Sequence, residues 1–335
     1  ASTLGKIDLQ GPDTAKFLNM IYTNAWSKLE IGSCRYGLMC NEHGMIFDDG
    51  VTSRLGENHY HMTTTTGGAA RVMSWLEEFL QTEWLDMQVF CTSVTEQWSV
   101  LSISGPNARN FLSELTDIDL SKESFPFMRF REGKVCGIDA RVFRISFTGE
   151  LAFEINIPAR YGSYVWNEFM THGKKYNITP YGTEAMHVLR AEKGFIIVGQ
   201  DTDGSVTPFD LNMEWIVSKK KEDFLGKRSF SRSDTSRNDR KKLVGLLVND
   251  KTTVLPEGSH IVEKSKSQPP MKMLGHVSSS YFSPTNGHPI ALALLKNGAS
   301  RMGDEVEIPL MNGKVIKATV TDPIFYDKEG LRNNE

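Results

Sequence analysis

Two segments of the chain share the same order of small and apolar residues, and this internal similarity constrains the fold more than any other sequence feature. The segments are 7–18 (IDLQGPDTAKFL) and 101–112 (LSISGPNARNFL). In each, a short alternating strand is followed by a Gly-Pro break and by the start of a helix with core-facing apolar positions. Their spacing exceeds the period of a solenoid repeat. We therefore predict two related α+β lobes; the alternative is coincidence, since this junction is common.

The residue pattern of the sequence changes after these lobes, at about Leu243. Short β-rich runs separated by Pro, Gly and Asn turn signals follow, which is typical of a small antiparallel barrel or sandwich. The runs are 243–248, 290–295, 305–308 and 315–321. We predict an α+β fold with lobes over residues 1–225, a polar basic linker over 226–242 and a C-terminal β-barrel over 243–335. Apolar spacing predicts helices over 69–85, 161–172 and 183–193.

Composition excludes several classes of protein. The 335 residues carry a net charge of only −3, so neither nucleic acid nor another polyanion is an expected partner. Four cysteines without a CxxC pair argue against a zinc ribbon or a disulfide scaffold and favour a reducing, cytoplasmic compartment. The sequence has no run of about 18 apolar residues and no secretory signal, so we predict no membrane partner. Because the chain starts at Ala1 and enters a strand almost at once, we expect a piece of a longer polypeptide, although loss of an initiator Met alone would explain Ala1.

Adjacent carboxylates at Asp48 and Asp49 follow an apolar segment and are the strongest candidates for chemistry. Neighbouring residues of a strand point to opposite faces, so at most one of the two can enter a given cavity. We expect the other to be a turn or surface acid. A buried carboxylate could accept a proton or stabilise a developing cation. An Asx turn capped by Gly50 is an equally good interpretation.

The segment 142–157 predicts a hairpin, with a Thr-Gly break and Glu150 near the tip. Alternation places Glu154 on the face opposite Phe153 and Ile155, where it meets either solvent or a polar cavity. A carboxylate there could accept two parallel donors from a pterin or guanine ring.

Two polar motifs allow both a functional and a structural interpretation. The run 63–68 (TTTTGG) could bring the hydroxyls of Thr65 and Thr66 to a ligand, or it could be only a strand end and helix cap. His59 and His61 alternate on one strand face, which is usually surface, and we predict no metal site there. The chain has no GxGxxG, P-loop or GxSxG motif, which argues against dinucleotide, phosphate-loop and serine-hydrolase sites.

Taken together, these residues resemble the aminomethyltransferase family, the glycine-cleavage T-protein group, over essentially the whole chain. Within that family, several runs look most like the alpha subunits of heterotetrameric sarcosine oxidases, which carry this domain at their C-terminal end. The pieces that carry the resemblance include 11–18 (GPDTAKFL), 44–49 (GMIFDD), 62–71 (MTTTTGGAAR), 147–154 (FTGELAFE), 178–201 (ITPYGTEAMHVLRAEKGFIIVGQD) and 275–279 (GHVSS).

The resemblance implies three lobes arranged like a cloverleaf around a central hole that holds tetrahydrofolate. It implies that Asp49 lies by the reactive nitrogens as the catalytic acid, that Glu154 holds the pterin and that Tyr36 contacts folate. Phe147 stands where many family members have Tyr, so stacking survives and a hydroxyl contact is lost. Met186 replaces a folate-contacting Arg, which leaves Arg190 as a structural residue and the contact to the glutamate tail open.

The implied function is capture of the one-carbon unit from oxidised sarcosine to form 5,10-methylenetetrahydrofolate. The implied partners are the other subunits of a sarcosine oxidase heterotetramer. Flavin and NAD are expected only in absent upstream sequence or in those subunits. The alternatives are a stand-alone aminomethyltransferase of the glycine-cleavage type and a non-catalytic folate-binding assembly module.

Overall fold

The computed structural model describes residues 3–266 and 268–334. Its first lobe consists of one β-sheet and two helices. The sheet has five strands in the order β2-β3-β4-β1-β5. Side chains from both layers, including Phe17, Trp26 and Leu76, form its core. The elements are β1 (Gly5–Gln10), α1 (Thr14–Ile21), β2 (Cys34–Cys40), β3 (Ile46–Gly56), β4 (His59–Thr64), α2 (Ala69–Thr82) and β5 (Phe90–Ser93).

The second lobe repeats this construction with a four-stranded antiparallel sheet in the order β6-β9-β8-β7. Phe111, Phe153 and Phe169 lie in its core. Helix α5 follows this lobe and contacts strands of the barrel. The elements are β6 (Trp98–Ser104), α3 (Ala108–Ser113), β7 (Phe130–Val135), β8 (Ile138–Phe143), β9 (Ala152–Pro158), α4 (Gly162–His172) and α5 (Thr183–Glu192).

The C-terminal lobe is a closed antiparallel barrel in the order β10-β13-β12-β11-β14-β15, which confirms the barrel. Its interior is filled with aliphatic side chains such as Leu246, Ile261 and Leu295. The strands are β10 (Lys241–Val248), β11 (His260–Val262), β12 (Met273–Ser283), β13 (His288–Lys296), β14 (Glu305–Pro309) and β15 (Val315–Thr321). Short 3-10 helices lie at Thr95–Gln97, Ala159–Tyr161, Gly173–Tyr176, Glu214–Ile216, Lys227–Ser231, Gly298–Arg301 and Arg332–Asn334.

The two similar sequence segments adopt the same strand, glycine and helix arrangement. Gly11 and Gly105 end β1 and β6 with φ of 135° and 120°, a region that strongly favours glycine. A Cβ on Gly11 would also lie 2.1 Å from the carbonyl oxygen of Gln88. The predicted α+β architecture of two related lobes and a C-terminal barrel is therefore confirmed.

Two local expectations are wrong, and one strand was missed. The strand predicted through Phe147 ends at Phe143, because Arg144 is buried and its guanidinium donates to the carbonyls of Ala152 and Asn333. The Asx turn at Asp48 and Asp49 is absent, since β3 runs on from Ile46 to Gly56. Strand β12 was not predicted. Among the described residues, no helix is both long and apolar enough to cross a membrane.

Candidate functional site

A cavity of about 1970 Å³ lies between the two α+β lobes and is closed on further sides by the segments 176–199 and 211–218. It is larger than the roughly 300–1,000 Å³ of an ordinary small-ligand pocket, so it has room for an elongated ligand and a second reactant. All six predicted site residues border it: Tyr36, Asp49, Thr65, Thr66, Phe147 and Glu154.

Asp49 reaches this cavity from the middle of β3. The hydroxyl of Tyr36, on the neighbouring strand β2, donates a hydrogen bond of 2.6 Å to Asp49 Oδ2. Burial raises the pKa of Asp49 to about 7; the bond from Tyr36 lowers it in part, and the charge of Asp48 raises it. A carboxyl group with a pKa near neutrality can accept or donate a proton at working pH.

Asp48, its neighbour, has a structural task. The expectation of a turn or surface acid is wrong for it, because its side chain is buried and accepts three hydrogen bonds. The donors are the backbone N–H of Asp49 at 2.8 Å and the N–H and hydroxyl of Thr65 at 2.9 and 2.8 Å. A Cβ on Gly68 would lie 1.9 Å from Asp48 Oδ2, so glycine is required there. Asp48 thus fastens the start of α2 to β3.

Glu154 enters the same cavity from β9 in the second lobe. Burial raises its pKa to about 7, and the charge of Lys6 in the first lobe partly offsets this rise. Its carboxylate makes no hydrogen bond to any described residue. Of the two faces that alternation left open, the structure places Glu154 on the cavity side, with its acceptor oxygens available to a ligand.

The remaining predicted residues differ in how available they are. Phe147, in the loop between β8 and β9, stacks with Phe195 at 6.3 Å between ring centroids and gives the cavity an apolar surface. The Thr65 hydroxyl is used by Asp48, whereas Thr66 is exposed and shares a hydrogen bond of 2.9 Å with Thr3. A ligand contact from either threonine stays a prediction.

Arg190 ties α5 to the barrel. It is fully buried, pairs with Asp201 at 2.6 Å and donates to Ser279 of β12 at 2.7 Å. This arrangement agrees with the structural role expected for it. Met186, one turn earlier on the helix, borders the cavity instead.

The prediction that His59 and His61 lie on the surface is wrong for His61. It is 2% exposed, and its Nδ1 lies 2.6 Å from Asp8 Oδ1; the half-buried His59 contacts the other carboxylate oxygen at 2.9 Å. The acid belongs to β1 and meets the histidines only through strand pairing. Within the described ranges, no group of three His, Cys, Asp or Glu is placed to bind a metal ion.

Lys221 follows two exposed lysines and is itself half-buried against the first lobe. The Lys221 ammonium donates to the carbonyl oxygens of Tyr22 and Asn24, the latter at 3.0 Å. Burial lowers the pKa of Lys221 to about 7, and Lys227 lowers it further. Lys221 therefore fastens the segment after the second lobe to the first lobe.

Comparison with known protein families agrees with this architecture. The GCVT N-terminal domain matches residues 1–221, and the glycine cleavage T-protein C-terminal barrel domain matches residues 241–327. The chain belongs to the glycine cleavage T-protein family. Aminomethyltransferase T of Bartonella henselae shares the T-protein fold with a TM-score of 0.84 and 24% identity, over 98% of this chain and 85% of that one.

Curated relatives of this T-protein-family chain are of two kinds. It is 53% identical to sarcosine oxidase subunit alpha of Corynebacterium sp. (strain P-1) over its whole length and 35% of that protein. The corresponding subunit of Rhizobium meliloti is 42% identical over 99% of this chain and 34% of its own length. The aminomethyltransferase of Listeria monocytogenes is 31% identical over 98% of this chain and 85% of its own. The chain thus spans about a third of the oxidase subunits.

Proposed function

We propose that the central cavity binds tetrahydrofolate and that the chain captures the one-carbon unit of oxidised sarcosine to form 5,10-methylenetetrahydrofolate. The observation that carries this proposal is the meeting of two half-buried acids, Asp49 and Glu154, from different lobes at one cavity. The 53% identity to a sarcosine oxidase subunit alpha supports sarcosine as the source of the carbon.

The cavity side chains fit the two ends of a pterin. The ring offers an N–H and an exocyclic amino group side by side, and a carboxylate can accept both. Glu154 has its oxygens available for this pairing because no described residue donates to them. The stacked rings of Phe147 and Phe195 supply an apolar surface for an aromatic ligand.

Bound tetrahydrofolate supplies the two amine nitrogens that take up the carbon atom. Condensation with formaldehyde forms two C–N bonds and releases one water molecule, with no change in oxidation state. Asp49 would exchange protons with the reacting nitrogens, for which its pKa of about 7 is suited. Tyr36 would hold the carboxylate in place through its 2.6 Å hydrogen bond. Correct placement of the reactants would supply much of the rate.

The oxidation itself is assigned to other sequence. We propose that sarcosine is oxidised with flavin and NAD outside residues 1–335, in a longer chain or in partner subunits of a heterotetramer. The support is the length of the oxidase subunits, of which this chain matches 35%.

The direct test is calorimetric titration with tetrahydrofolate. Glu154→Gln should weaken binding about 10- to 100-fold, since a hydrogen bond to a charged group contributes about 1.5–3 kcal/mol. Glu150→Gln is the matched control, because Glu150 lies in the loop outside the cavity and pairs with Arg332 at 3.1 Å. Equal affinities of wild type and Glu154→Gln would remove Glu154 from the pterin site.

Catalysis is separated from passive binding by a formaldehyde-trapping assay. Asp49→Asn should slow formation of the methylene product about 10²- to 10⁴-fold if Asp49 transfers protons. Rates equal to wild type, with folate affinity intact, would instead favour a non-catalytic folate-binding assembly module.

A stand-alone aminomethyltransferase is the second candidate, favoured by the Listeria relative, of which the chain covers 85%. In that reaction the aminomethyl group arrives on a lipoyl carrier. Release of ammonia from an aminomethyl-lipoyl donor in the presence of tetrahydrofolate would support it. No release, together with formaldehyde trapping, would support the oxidase-linked function.

A further inference from the structure

A second cavity, of about 10 Å³, lies behind Glu154 between the sheets of the two lobes. Its size is close to what one water molecule needs, and a buried water also needs two to four polar partners. The wall provides them, because polar and charged side chains from both lobes meet there. These side chains are Lys6, Ser53, His61, Thr63, Glu154 and Asn156.

His61 and Glu154 occupy equivalent positions in the two lobes. Asp8 on β1 pairs with His61 on β4, and Ser102 on β6 pairs with Glu154 on β9. Asp8 and Ser102 are themselves equivalent, since each stands three residues before the glycine that ends its strand. The two lobes therefore present a histidine and a carboxylate to each other across the small cavity.

The hydrogen bond to Asp8 fixes which nitrogen of His61 carries the hydrogen. Burial opposes ionisation of Asp8, but the bonds from His61 and His59 hold its pKa below the usual range. An ionised carboxylate only accepts hydrogen bonds, so Nδ1 of His61 is the donor at 2.6 Å. Burial also lowers the pKa of His61 and favours the neutral ring. Its Nε2 is then an acceptor, and it makes no hydrogen bond to any described residue.

We propose that His61 is a positioning residue for Glu154, acting through one water molecule held in the small cavity. The water donates one hydrogen to His61 Nε2, and that bond turns its other hydrogen toward the Glu154 carboxylate. A hydrogen bond donated to the carboxylate favours its ionised form, which is the form that can accept both pterin donors. The choice of ligand rests on the proposed function, whereas the link between the two side chains does not.

Other charged groups act on the same two side chains. Lys6 from β1 favours ionised Glu154 and opposes protonation of His61. Arg141 from β8 also opposes protonation of His61. The buried thiol of Cys34 on β2 is affected by the charge of Glu154, which raises its pKa. All of these groups stay in place in the variants below.

The test is the titration of Glu154 in ligand-free protein, followed by the ¹³C signal of its carboxyl carbon. His61→Asn keeps a donor near the position of Nδ1 but does not reach the small cavity, and the pKa of Glu154 should rise by about one, as for loss of one hydrogen bond. His61→Gln places an acceptor near the position of Nε2 and should restore the wild-type titration. His59→Asn, the control on the other oxygen of Asp8, should leave it unchanged.

An unchanged Glu154 titration in His61→Asn would overturn the proposal. If that variant does not fold, Val100→Ile replaces it, because Val100 is an apolar wall residue and a larger side chain excludes the water. The same rise is expected.

Binding of tetrahydrofolate gives a second readout. In His61→Asn, the pH below which affinity is lost should move up by about one, while affinity at high pH stays at the wild-type value. Weaker affinity at every pH would indicate a merely structural role and count against the proposal. If wild type does not bind tetrahydrofolate at all, the proposed function fails, and the carbon titration still decides the role of His61.

Discussion

Replacing Glu154 by Gln should stabilise the protein above neutral pH while it impairs the site. Burial raises the pKa of this carboxyl group from 4.5 to about 7, so the native state binds its proton more tightly than the unfolded chain does. Keeping the group ionised in the native state therefore costs stability. Each tenfold difference in proton affinity is worth about 1.36 kcal/mol, and the two pKa values together imply about 3 kcal/mol.

The sign of the pH dependence follows from these two values. Below the unfolded pKa of 4.5, the carboxyl group is protonated in both states and the penalty vanishes. As the pH rises to the native value of about 7, the unfolded chain loses its proton first, so wild-type stability falls through this range and is constant above it. Gln has no such loss. The gain is reduced because Lys6 loses a favourable charge and an amide must be buried, which leaves about 1–3 kcal/mol.

Thermal unfolding at pH 5 and pH 8 measures this difference. Glu154→Gln should unfold roughly 2–6 °C above wild type at the higher pH and close to it at the lower, at about 2 °C per kcal/mol. Glu150→Gln should show no gain at either pH, since its partly exposed pair with Arg332 contributes little. A Glu154→Gln variant that is no more stable than wild type at pH 8 would refute the assignment of Glu154 as a strained cavity acid.

Two further substitutions test other contacts of the site. Tyr36→Phe removes a donor to ionised Asp49, so the pKa of that acid should rise above about 7. The pH at which the rate of formaldehyde trapping changes should then move up by about one unit. An unchanged pH dependence of this rate would separate Tyr36 from the function of Asp49. Gly68→Ala puts a Cβ 1.9 Å from Asp48 Oδ2 and should lower the free energy of unfolding by about 1–3 kcal/mol. Gly67→Ala is the control, because its Cβ meets open space and should not lower this free energy. Equal stabilities of the two variants in a denaturant titration would contradict this packing.

The sequence predicted the helices well because their apolar residues recur with helical spacing and because glycines mark their ends. The predicted helix over 183–193 is found at Thr183–Glu192, and that over 161–172 at Gly162–His172. Apolar alternation likewise located four of the barrel strands.

Strand β12 escaped prediction because its buried positions are polar. Ser278 and Ser279 are buried and donate to the carboxylate of Asp201, so hydroxyls stand where an alternating pattern would show apolar side chains. Asp201 in turn holds Arg190. The polar partners come from a segment far away in sequence, and periodicity carries no information about them.

The candidate site was predictable in its residues but not in its arrangement. Alternation separated Asp48 from Asp49 correctly, yet it could not show that Asp48 is the buried anchor and Asp49 the cavity acid. For Glu154, alternation left solvent and cavity open. In both cases the outcome depends on which sheet packs against which, and alternation does not show that; the family resemblance had pointed to Asp49 and Glu154.

The internal similarity that first indicated two lobes also explains why Glu154 has no hydrogen-bond partner on its paired strand. Equivalent strand pairs face each other, so the position of Glu154 in the second lobe is matched by His61 in the first. The first lobe adds an acid, Asp8, where the second has Ser102. As a result His61 is anchored by a hydrogen bond, whereas Glu154 has no such partner from its paired strand. A duplicated architecture with one unequal pair of residues thus leaves the Glu154 carboxylate without a side-chain donor among the described residues, and that inequality is what makes Glu154 available to a ligand.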